Sequence, residues 1–202
     1  MTEAETDPLA ALRRDRAAAR DAGDANAPLC WLATADADGR PSVRTIVLRD
    51  LADDFAVFTG ATSPKARDLA RRPACELVTW FPSLQRQWRL EARAEPLARD
   101  RLEAHWVRRP RAGKLLDHLH AAGRPQSGPA PDEATLAAEL AALDARLGDD
   151  PPMPESAAAF LLHVHAVERL QLTGEEALHR RGRWTRDPKV AEAPWRFEVR
   201  VP

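Results

Sequence analysis

The sequence predicts an antiparallel β-barrel with peripheral helices, which is a mainly β protein of the α+β class. Short runs of β-branched and aromatic residues recur at a spacing of roughly 8–12 residues and are separated by turn residues. The helical segments between these runs do not alternate strictly with them, as they would around a doubly wound parallel sheet. A chain of 202 residues, 44% of them hydrophobic, is long enough to bury a sizeable core. We therefore expect residues 1–202 to form a single domain.

The first predicted element is a helical arm within residues 1–26. Asp7 and Pro8 are typical of an N-cap followed by a first-turn proline, and a short leucine stripe comes next. Gly23 ends the helix, because glycine readily adopts the backbone conformation that follows a helix C-terminus.

Strand-like runs fill most of the chain between residues 30 and 96. Asp38 and Gly39 predict a tight turn, and therefore a hairpin, between the first two runs. A helix over Lys65–Arg72 interrupts the strands and stops before a proline. The predicted strands are Cys30–Ala35, Val43–Arg49, Phe55–Thr59, Ala74–Trp80 and Gln87–Pro96.

Residues 97–150 are predicted to be a helical segment with a Pro/Gly-rich loop at Arg124–Pro131, and residues 158–202 to be C-terminal strands. The predicted helices of this region are Leu97–Trp106, Lys114–His120 and an amphipathic helix that Asp132 caps and Gly148 ends. The predicted C-terminal strands are Phe160–Val167, Arg169–Thr173, Glu176–Arg181 and Trp195–Val201.

The charge of the chain is nearly balanced, with 30 Lys and Arg residues against 31 Asp and Glu residues and a net charge of −1. This balance argues against a surface-wide footprint for nucleic acid. Arginine-rich helix faces could bind nucleic acid locally, but the interspersed acids favour solvated faces. The arginines concerned are Arg13, Arg14, Arg16, Arg20, Arg108, Arg109 and Arg111.

No run approaches the roughly 20 consecutive apolar residues that a membrane span needs. Acids and arginines occupy the first thirty residues, where a signal peptide would be apolar. We therefore expect a cytoplasmic protein without membrane or nucleic-acid partners. In that compartment Cys30 and Cys75 are expected to remain buried thiols.

Common nucleotide-binding and hydrolase motifs, such as G-x-G-x-x-G and G-x-S-x-G, do not occur in the sequence. Two His-x-His pairs are candidate metal ligands. Residues two apart share one face of a strand, so His163 and His165 could bind a metal together, whereas His118 and His120 on a helix point in nearly opposite directions. Because no third ligand stands at a diagnostic spacing, we expect no metal site and a strand face turned to solvent or to a partner.

The region Ser42–Arg93 carries the strongest indication of chemistry. Thr59, Ser63 and Lys65 surround a turn that opens a helix, and a helix start with hydroxyl groups and a lysine favours a bound phosphate. Arg44 on a neighbouring strand would add a two-pronged contact. The alternative is that Ser63 is only a good N-cap before a proline and that the arginine is solvated.

Six motifs of this region occur in a recognisable order over the 48 residues from Arg44 to Glu91. They are Arg44–Arg49 (RTIVLR), Phe55–Thr59 (FAVFT), Ser63–Ala66 (SPKA), Leu69–Pro73 (LARRP), Trp80–Pro82 (WFP) and Arg86–Glu91 (RQWRLE). In order and spacing they resemble the pyridoxamine 5'-phosphate oxidase family of FMN-binding split barrels. The resemblance implies a six-stranded split barrel, a homodimer, and FMN sites that are each built from both subunits.

The resemblance also implies the residues that bind FMN. Arg44 and Lys65 match residues that grip the FMN phosphate, and Ser63 matches a serine before the family's Arg-Lys pair, whose arginine is Pro64 here. Gln87 matches a glutamine that hydrogen-bonds the edge of the flavin ring. The strand that lies against the ring matches Thr45, Ile46, Val47 and Leu48, and the aromatic–threonine pair beside the ribityl phosphate matches Phe58 and Thr59.

The substrate half of the site departs from the family pattern. His105 and Gly113 stand where the oxidases have a tyrosine and a serine that hold the substrate phosphate, and Ala177 replaces an arginine that contacts substrate over the flavin. The residues that still match substrate-binding positions are Arg49 (in place of a lysine shared with the flavin), Arg109 and His179, while Arg181 matches a residue that places positive charge beside the flavin.

These patterns favour a homodimeric FMN-binding oxidoreductase that acts on an unidentified small organic substrate. The cofactor would carry the redox chemistry, and Gln87, Arg49 and Arg181 would tune it, so no catalytic residue is assigned. Formation of pyridoxal 5'-phosphate is a narrower form of this hypothesis, which the departures of the substrate half argue against. The alternative from another class is a non-catalytic module that binds FMN or haem.

Overall fold

The computed structural model describes residues 6–51, 54–174, 179–190 and 193–202. The described strands, in chain order, are β1 Leu29–Ala35, β2 Pro41–Val47, β3 Arg49–Leu51, β4 Asp54–Gly60, β5 Ala74–Phe81, β6 Arg86–Pro96, β7 Ala157–Gln171, β8 Arg180–Thr185 and β9 Arg196–Arg200. The described helices are α1 Pro8–Asp21, α2 Pro64–Arg71, α3 Arg99–Trp106, α4 Arg111–Ala121 and α5 Glu133–Leu147, with a 3₁₀ turn at Pro82–Leu84.

All nine described strands belong to one antiparallel sheet, whose main order is β2-β1-β5-β6-β7-β4-β3. Strand β7 is 15 residues long, so its first half pairs with β4 and its second half with β8, while β6 runs along the opposite edge. Strand β2 also approaches β4, which curls the sheet into a half-barrel. The predicted fold class, a mainly β split barrel with peripheral helices, is therefore confirmed.

The number of strands differs from the six that the family resemblance implies. The run predicted as Val43–Arg49 is divided at the buried Leu48. Its N–H bonds to the Pro28 carbonyl at 3.0 Å, in register with the β1–β2 pairing, and from Arg49 the chain pairs with β4 instead. The runs predicted on either side of Glu168 are one strand, β7, since that buried carboxylate is held within the sheet by ion pairs with two arginines.

The third predicted C-terminal strand is also displaced. It was expected at Glu176–Arg181, but β8 begins at Arg180 and continues to Thr185, and residues 175–178 lie outside the described part of the chain. Gly182 lies within β8, where a Cβ atom would come within 2.5 Å of the Phe197 ring. The absence of a side chain at this position lets β9 pack closely against β8.

The concave face of the sheet forms the core together with α1. Trp88, Phe55 and Leu90 are fully buried there, and Leu9 and Leu12 of α1 pack into the same cluster. Each large apolar side chain buried in this way contributes roughly 1.5–3 kcal/mol to folding. Helix α1 starts as predicted, because the Asp7 carboxylate accepts hydrogen bonds from two first-turn amides.

The helical segment lies outside the sheet. Trp106 of α3 is buried and donates its indole N–H to the Pro151 carbonyl at 2.9 Å, and Lys114 of α4 pairs with Asp150 at 2.6 Å. Helix α5 begins at the predicted Asp132 cap and packs on α4. Among the described residues no helix is long and apolar enough to cross a membrane.

Candidate functional site

The start of α2 carries a buried cluster of polar side chains. Ser63 is the N-cap, and its Oγ accepts a 3.2 Å hydrogen bond from the Ala66 amide. The same Oγ lies 2.8 Å from Oγ1 of Thr59, and both hydroxyl-bearing residues are buried. Ser63 is therefore the N-cap that the sequence predicts. The hydroxyl groups of Ser63 and Thr59 both lie at the positive end of the helix dipole.

Lys65 lies in the first turn of the same helix with only 6% of its surface exposed. Its Nζ donates a 2.6 Å hydrogen bond to Oε1 of Gln126, which is a neutral amide. Burial and, to a smaller extent, the positive charge of Arg44 lower the pKa of Lys65 to about 8, against an opposing effect of Asp117. We call Arg44, Thr59, Ser63 and Lys65 the Lys65 cluster, since they bring hydroxyl groups and cations together.

Arg44 is held in a defined position on β2. Its Nη1 donates to the Leu32 carbonyl at 3.1 Å and to Oγ1 of Thr34 at 2.7 Å. The Thr34 hydroxyl in turn donates to Asp68 at 2.7 Å, and the Asp68 carboxylate lies 3.9 Å from Nη2 of Arg44. Burial lowers the pKa of Arg44, with Asp68 opposing that effect. The alternative of a freely solvated Arg44 is therefore wrong.

A cleft of about 280 Å³ lies between α1, the β2–β3 junction and α3. Its apolar wall includes Val47, Leu48 and Phe58. The Phe58 ring meets the His105 ring edge-on, with ring centroids 5.9 Å apart. Burial, and then the neighbouring Arg108 and Arg101, lower the pKa of His105, which favours the neutral imidazole.

Five arginines line this cleft, which we call the arginine cleft: Arg16, Arg20, Arg49, Arg108 and Arg109. Arg16 was expected on a solvated helix face, but it is buried and bonds to Asp50 at 2.6 Å and to the Leu48 carbonyl at 2.7 Å. These acceptors belong to the sheet against which α1 packs. The spacing of residues within α1 therefore could not show that Arg16 is buried.

Arg109 is held by Asp117 of α4. The guanidinium lies 2.9 Å from the buried carboxylate, and Gly113 leaves room for the arginine, whose Nε would be only 3.2 Å from a Cβ atom at that position. Burial raises the pKa of Asp117, although Arg109 opposes the shift. Asp117 therefore pairs with an arginine of the cleft and also opposes the lowering of the Lys65 pKa.

The side of the sheet opposite the core, which we call the outer face, carries the remaining predicted flavin residues. Thr45 pairs with Trp31, and Gln87 pairs with Leu170, which in turn pairs with Arg181. Directly paired residues project to the same face, so Gln87 and Arg181 lie there about 10 Å apart.

Arg181 is the more constrained of these two side chains. It pairs with Glu168 at 2.8 Å, and its buried Nε has no partner among the described residues. The side chain of Gln87 makes no hydrogen bond within the described part of the chain. Strand order places Gln87 three strands from β2, about 14 Å away, so one protomer does not gather the predicted flavin residues around a single point.

The predicted substrate residues are likewise divided. Arg49 and Arg109 line the arginine cleft, whereas His179 lies at the start of β8, where its Nδ1 is 3.5 Å from the Thr173 amide. Ala177 lies outside the described residues.

The candidate metal pair on β7 is partnered by carboxylates. His163 bonds to Glu95 at 2.7 Å, and His165 lies 4.0 Å from Glu91. Over residues 6–51, 54–174, 179–190 and 193–202, no three His, Cys, Asp or Glu side chains are grouped to hold a metal ion.

Gln126 and Asp117 are not among the site residues that the sequence predicts. Gln126 lies in a loop without periodicity, and Asp117 is one of many acids in a helical segment. Both reach the site only in the tertiary structure, where the loop after α4 meets Lys65 and α4 packs against β4. Asp117 could have been noticed because it lies on the same buried face of α4 as Leu115 and Leu119, where an acid is unusual.

A curled antiparallel half-barrel, with a buried cationic cluster at the start of a helix, defines the split-barrel class. The family model described as pyridoxamine 5'-phosphate oxidase matches residues 19–147. The pyridoxine/pyridoxamine 5'-phosphate oxidase of Anaeromyxobacter dehalogenans is 37% identical over 179 residues, which are 87% of each chain. That of a Nocardioides species is 38% identical over 187 residues, covering 90% of this chain and 84% of its own. The chain belongs to the pyridoxamine 5'-phosphate oxidase family.

Two solved structures are similar over nearly their whole length. PhzG from Burkholderia lata 383, in complex with tetrahydrophenazine-1-carboxylic acid, has a TM-score of 0.85 and 27% identity over 99% of this chain and 95% of its own. A pyridoxamine 5'-phosphate oxidase-related, FMN-binding protein from Nostoc punctiforme has a TM-score of 0.75 and 23% identity, covering 100% of this chain and 99% of its own. The similarity to the Nostoc punctiforme protein shows that the two chains share a fold.

Proposed function

We propose that the protein is an FMN-dependent oxidoreductase that acts on a small organic substrate. The observation that carries the proposal is the buried ammonium group of Lys65, which bonds to a neutral amide and lies near Arg44. A buried charge without a close counter-charge is costly, and a bound phosphate would offset that cost. Family membership makes FMN the natural source of the phosphate.

The described residues fit FMN in charge and in shape. Lys65 and Arg44 would bind the phosphate, with the Thr59 and Ser63 hydroxyl groups beside it. The strand from Thr45 to Leu48 would lie along the ring. Bound FMN would accept a hydride or electrons reversibly. Gln87, Arg49 and Arg181 would donate hydrogen bonds or place positive charge at the polar edge of the ring.

A second copy of the chain is part of this proposal. The predicted ring-edge residues Gln87 and Arg181 lie several strands away from β2 in one protomer, so a partner must supply them to the Lys65 cluster of the other. The outer face also exposes apolar side chains, with Val43 63% and Val47 38% exposed. Apolar residues clustered on one exposed face are typical of a protein interface. We therefore propose a homodimer.

The substrate is proposed only by class. The curated relatives are named for pyridoxine and pyridoxamine 5'-phosphate, and PhzG was solved with a ring carboxylic acid, so each of these ligands combines a ring with an anionic group. Arg49, Arg109 and His179 are the proposed substrate-binding residues. Two free thiols, Cys30 and Cys75, fit a reducing, cytoplasmic location.

A visible spectrum of the purified protein, recorded before and after addition of FMN and desalting, tests the cofactor. We expect twin flavin bands that survive desalting and that are lost in an Arg44→Ala/Lys65→Ala double variant. An Arg146→Ala/Lys189→Ala double variant, which removes two exposed cations outside α2, is the control. A protein that stays colourless would contradict the proposal, and a haem band in place of the flavin bands would favour the non-catalytic alternative.

Turnover is tested on the loaded protein. Pyridoxine 5'-phosphate and a dihydroaromatic ring carboxylate are supplied separately under air, and hydrogen peroxide and bleaching of the flavin are followed. Reduction of the flavin by either compound would support an oxidoreductase. A flavin that no tested donor reduces would support the binding module instead.

A further inference from the structure

Four charged side chains form a row across the outer face of the sheet, from β5 to β8. In strand order they are Glu76, Arg89, Glu168 and Arg181, so that acids and arginines alternate. Arg89 lies 2.5 Å from Glu76 and 3.4 Å from Glu168, and Arg181 lies 2.8 Å from Glu168. We call these four residues the charged row. Glu168, which is 8% exposed, is its most buried member.

Glu168 holds Arg181 through a diagonal contact between neighbouring strands. The residue directly opposite Glu168 on β8 is Arg183, whereas Arg181 is opposite Leu170. Arg183 is already paired with another carboxylate, that of Glu91, at 2.8 Å. The Arg181 side chain therefore lies along the sheet toward Glu168, and the contact restricts the rotamers that a long, partly exposed side chain would otherwise sample.

The contact leaves part of the Arg181 guanidinium group unused. Its Nη2 bonds to Glu168, but its Nε is buried without a partner among the described residues. A buried N–H donor without an acceptor is costly, so an acceptor from outside this part of the chain would stabilise it. Leu170 pairs with both Gln87 and Arg181, so these two residues present their donors to the same part of the outer face.

The carboxylate of Glu168 also changes the charge that Arg181 presents. The charged row contains two acids and two arginines, so its charges cancel. Transfer of a hydride to a flavin adds negative charge to the ring, and an uncompensated cation nearby would favour the reduced form. We propose that Glu168 is a positioning residue that fixes Arg181 as a hydrogen-bond donor to the flavin edge and cancels its net positive charge.

This inference rests on the proposed function, because Arg181 meets a flavin only if the protein binds FMN. It goes further in assigning a role to Glu168, which lies outside the motifs that carry the family resemblance. It also separates two contributions of Arg181. The hydrogen bond would be retained in the folded protein, whereas the positive charge would be offset by the neighbouring carboxylate.

Glu168→Gln tests the contribution of charge, because the amide oxygen can still accept a hydrogen bond from Arg181 but carries no charge. The reduction potential of the FMN-loaded protein is measured by equilibration with a reference dye, and FMN affinity by flavin fluorescence. We expect the affinity for oxidised FMN to stay within about two-fold. The reduced form should be favoured about ten-fold, which raises the potential of a two-electron couple by about 30 mV.

Glu95→Gln is the matched control for this measurement. It removes an exposed carboxylate of the same face, near the far end of β6, where Glu95 pairs with His163. Neither the potential nor the FMN affinity should change, because an exposed and distant charge is screened by solvent.

Glu168→Ala tests the contribution of position, because it removes the contact altogether. Arg181 should lose its fixed direction, and FMN affinity should fall about ten-fold. In an Arg181→Gln background the same replacement should weaken FMN binding less than about two-fold, since no guanidinium group is left to position. A purely structural role of Glu168 would lower the melting temperature without making FMN affinity depend on Arg181 in this way.

Circular dichroism checks the folding of each variant. An unchanged potential in Glu168→Gln would overturn the inference, and so would an equal loss of FMN affinity in Glu168→Ala with and without Arg181. A parent protein that binds no FMN would instead refute the proposed function and, with it, the role of Glu168 toward a flavin. The two failures are distinct, because the first is observed only in protein that shows the flavin bands.

Discussion

The Nζ of Lys65 donates a 2.6 Å hydrogen bond to the side-chain carbonyl of Gln126, which joins the first turn of α2 to the loop between α4 and α5. The partner is uncharged, so this contact engages one of the three N–H donors of the ammonium group without neutralising its charge. The positive charge of Lys65 is therefore buried without being neutralised, and a bound anion would stabilise it.

Replacement of Lys65 by methionine should weaken FMN binding by roughly 10–100-fold, the loss expected for one charge-assisted contact. The melting temperature without FMN should not fall, because the substitution removes an uncompensated buried charge. Lys114→Met is a matched control, since Lys114 is equally buried but pairs with Asp150. It should lower the melting temperature and leave FMN affinity unchanged. Flavin fluorescence and thermal unfolding measure both quantities.

FMN affinity should fall as pH rises through about 8, where Lys65 loses its proton. Over pH 7–9.5 the phosphate remains a dianion, since its second pKa is about 6, and so the titration reports the protein. The folded-state pKa of Lys65 is lowered, so the unfolded chain binds more protons above pH 8 and this residue's unfavourable contribution to stability disappears as pH rises. A Lys65→Arg variant should bind FMN without that pH dependence. A parent protein with flat affinity across the range would contradict the assignment.

The Asp117→Asn substitution should affect stability and FMN binding in opposite directions. Arg109 would lose its partner, and breaking a buried pair costs about 3 kcal/mol. The Lys65 cluster would lose a nearby negative charge, so FMN should bind a few-fold more tightly. Asp144→Asn removes an exposed acid of α5 and should change neither quantity. Weaker FMN binding in Asp117→Asn would show that Asp117 organises the site rather than opposing the anion.

Asp50→Asn should destabilise the protein by about 1–3 kcal/mol, because the buried Arg16 guanidinium would keep only carbonyl acceptors. The mutation acts where α1 packs on the β2–β3 junction, so the unfolding midpoint in urea should move to lower concentration. Asp38→Asn breaks an exposed pair and should shift stability by less than about 0.5 kcal/mol. Equal effects of the two substitutions would mean that Arg16 is not dependent on its carboxylate.

Val43→Asp should dissociate the proposed homodimer, because it places a charge on the apolar part of the outer face. Analytical ultracentrifugation is expected to show a dimer for the parent chain and a monomer for the variant, with FMN affinity reduced at the same time. Val190→Asp alters a side chain that is 55% exposed and lies outside that face, and it should remain dimeric. A parent chain that sediments as a monomer while it binds FMN would refute the two-subunit site.

Much of the fold was open to prediction because it depends on local chemistry. Asp7, Ser63 and Asp132 cap the helices that they were expected to begin, since an N-cap needs only a side-chain oxygen and the next few amides. The strands between residues 30 and 96 were also predicted from local sequence, because runs of β-branched and aromatic residues between turn residues mark them. The predicted division of β7 at Glu168 was wrong, because the arginines that hold this carboxylate within the sheet lie on other strands.

The sequence by itself determined the split-barrel class, the family, and the residues at the start of α2, all of which rest on contiguous patterns. Only the tertiary structure decided that Arg16 is buried, that Gln126 meets Lys65, and that Asp117 pairs with Arg109. Those relations join residues far apart in the chain, and their energies depend on burial and on the position of each counter-charge. Neither quantity exists until the sheet curls and the helices pack against it.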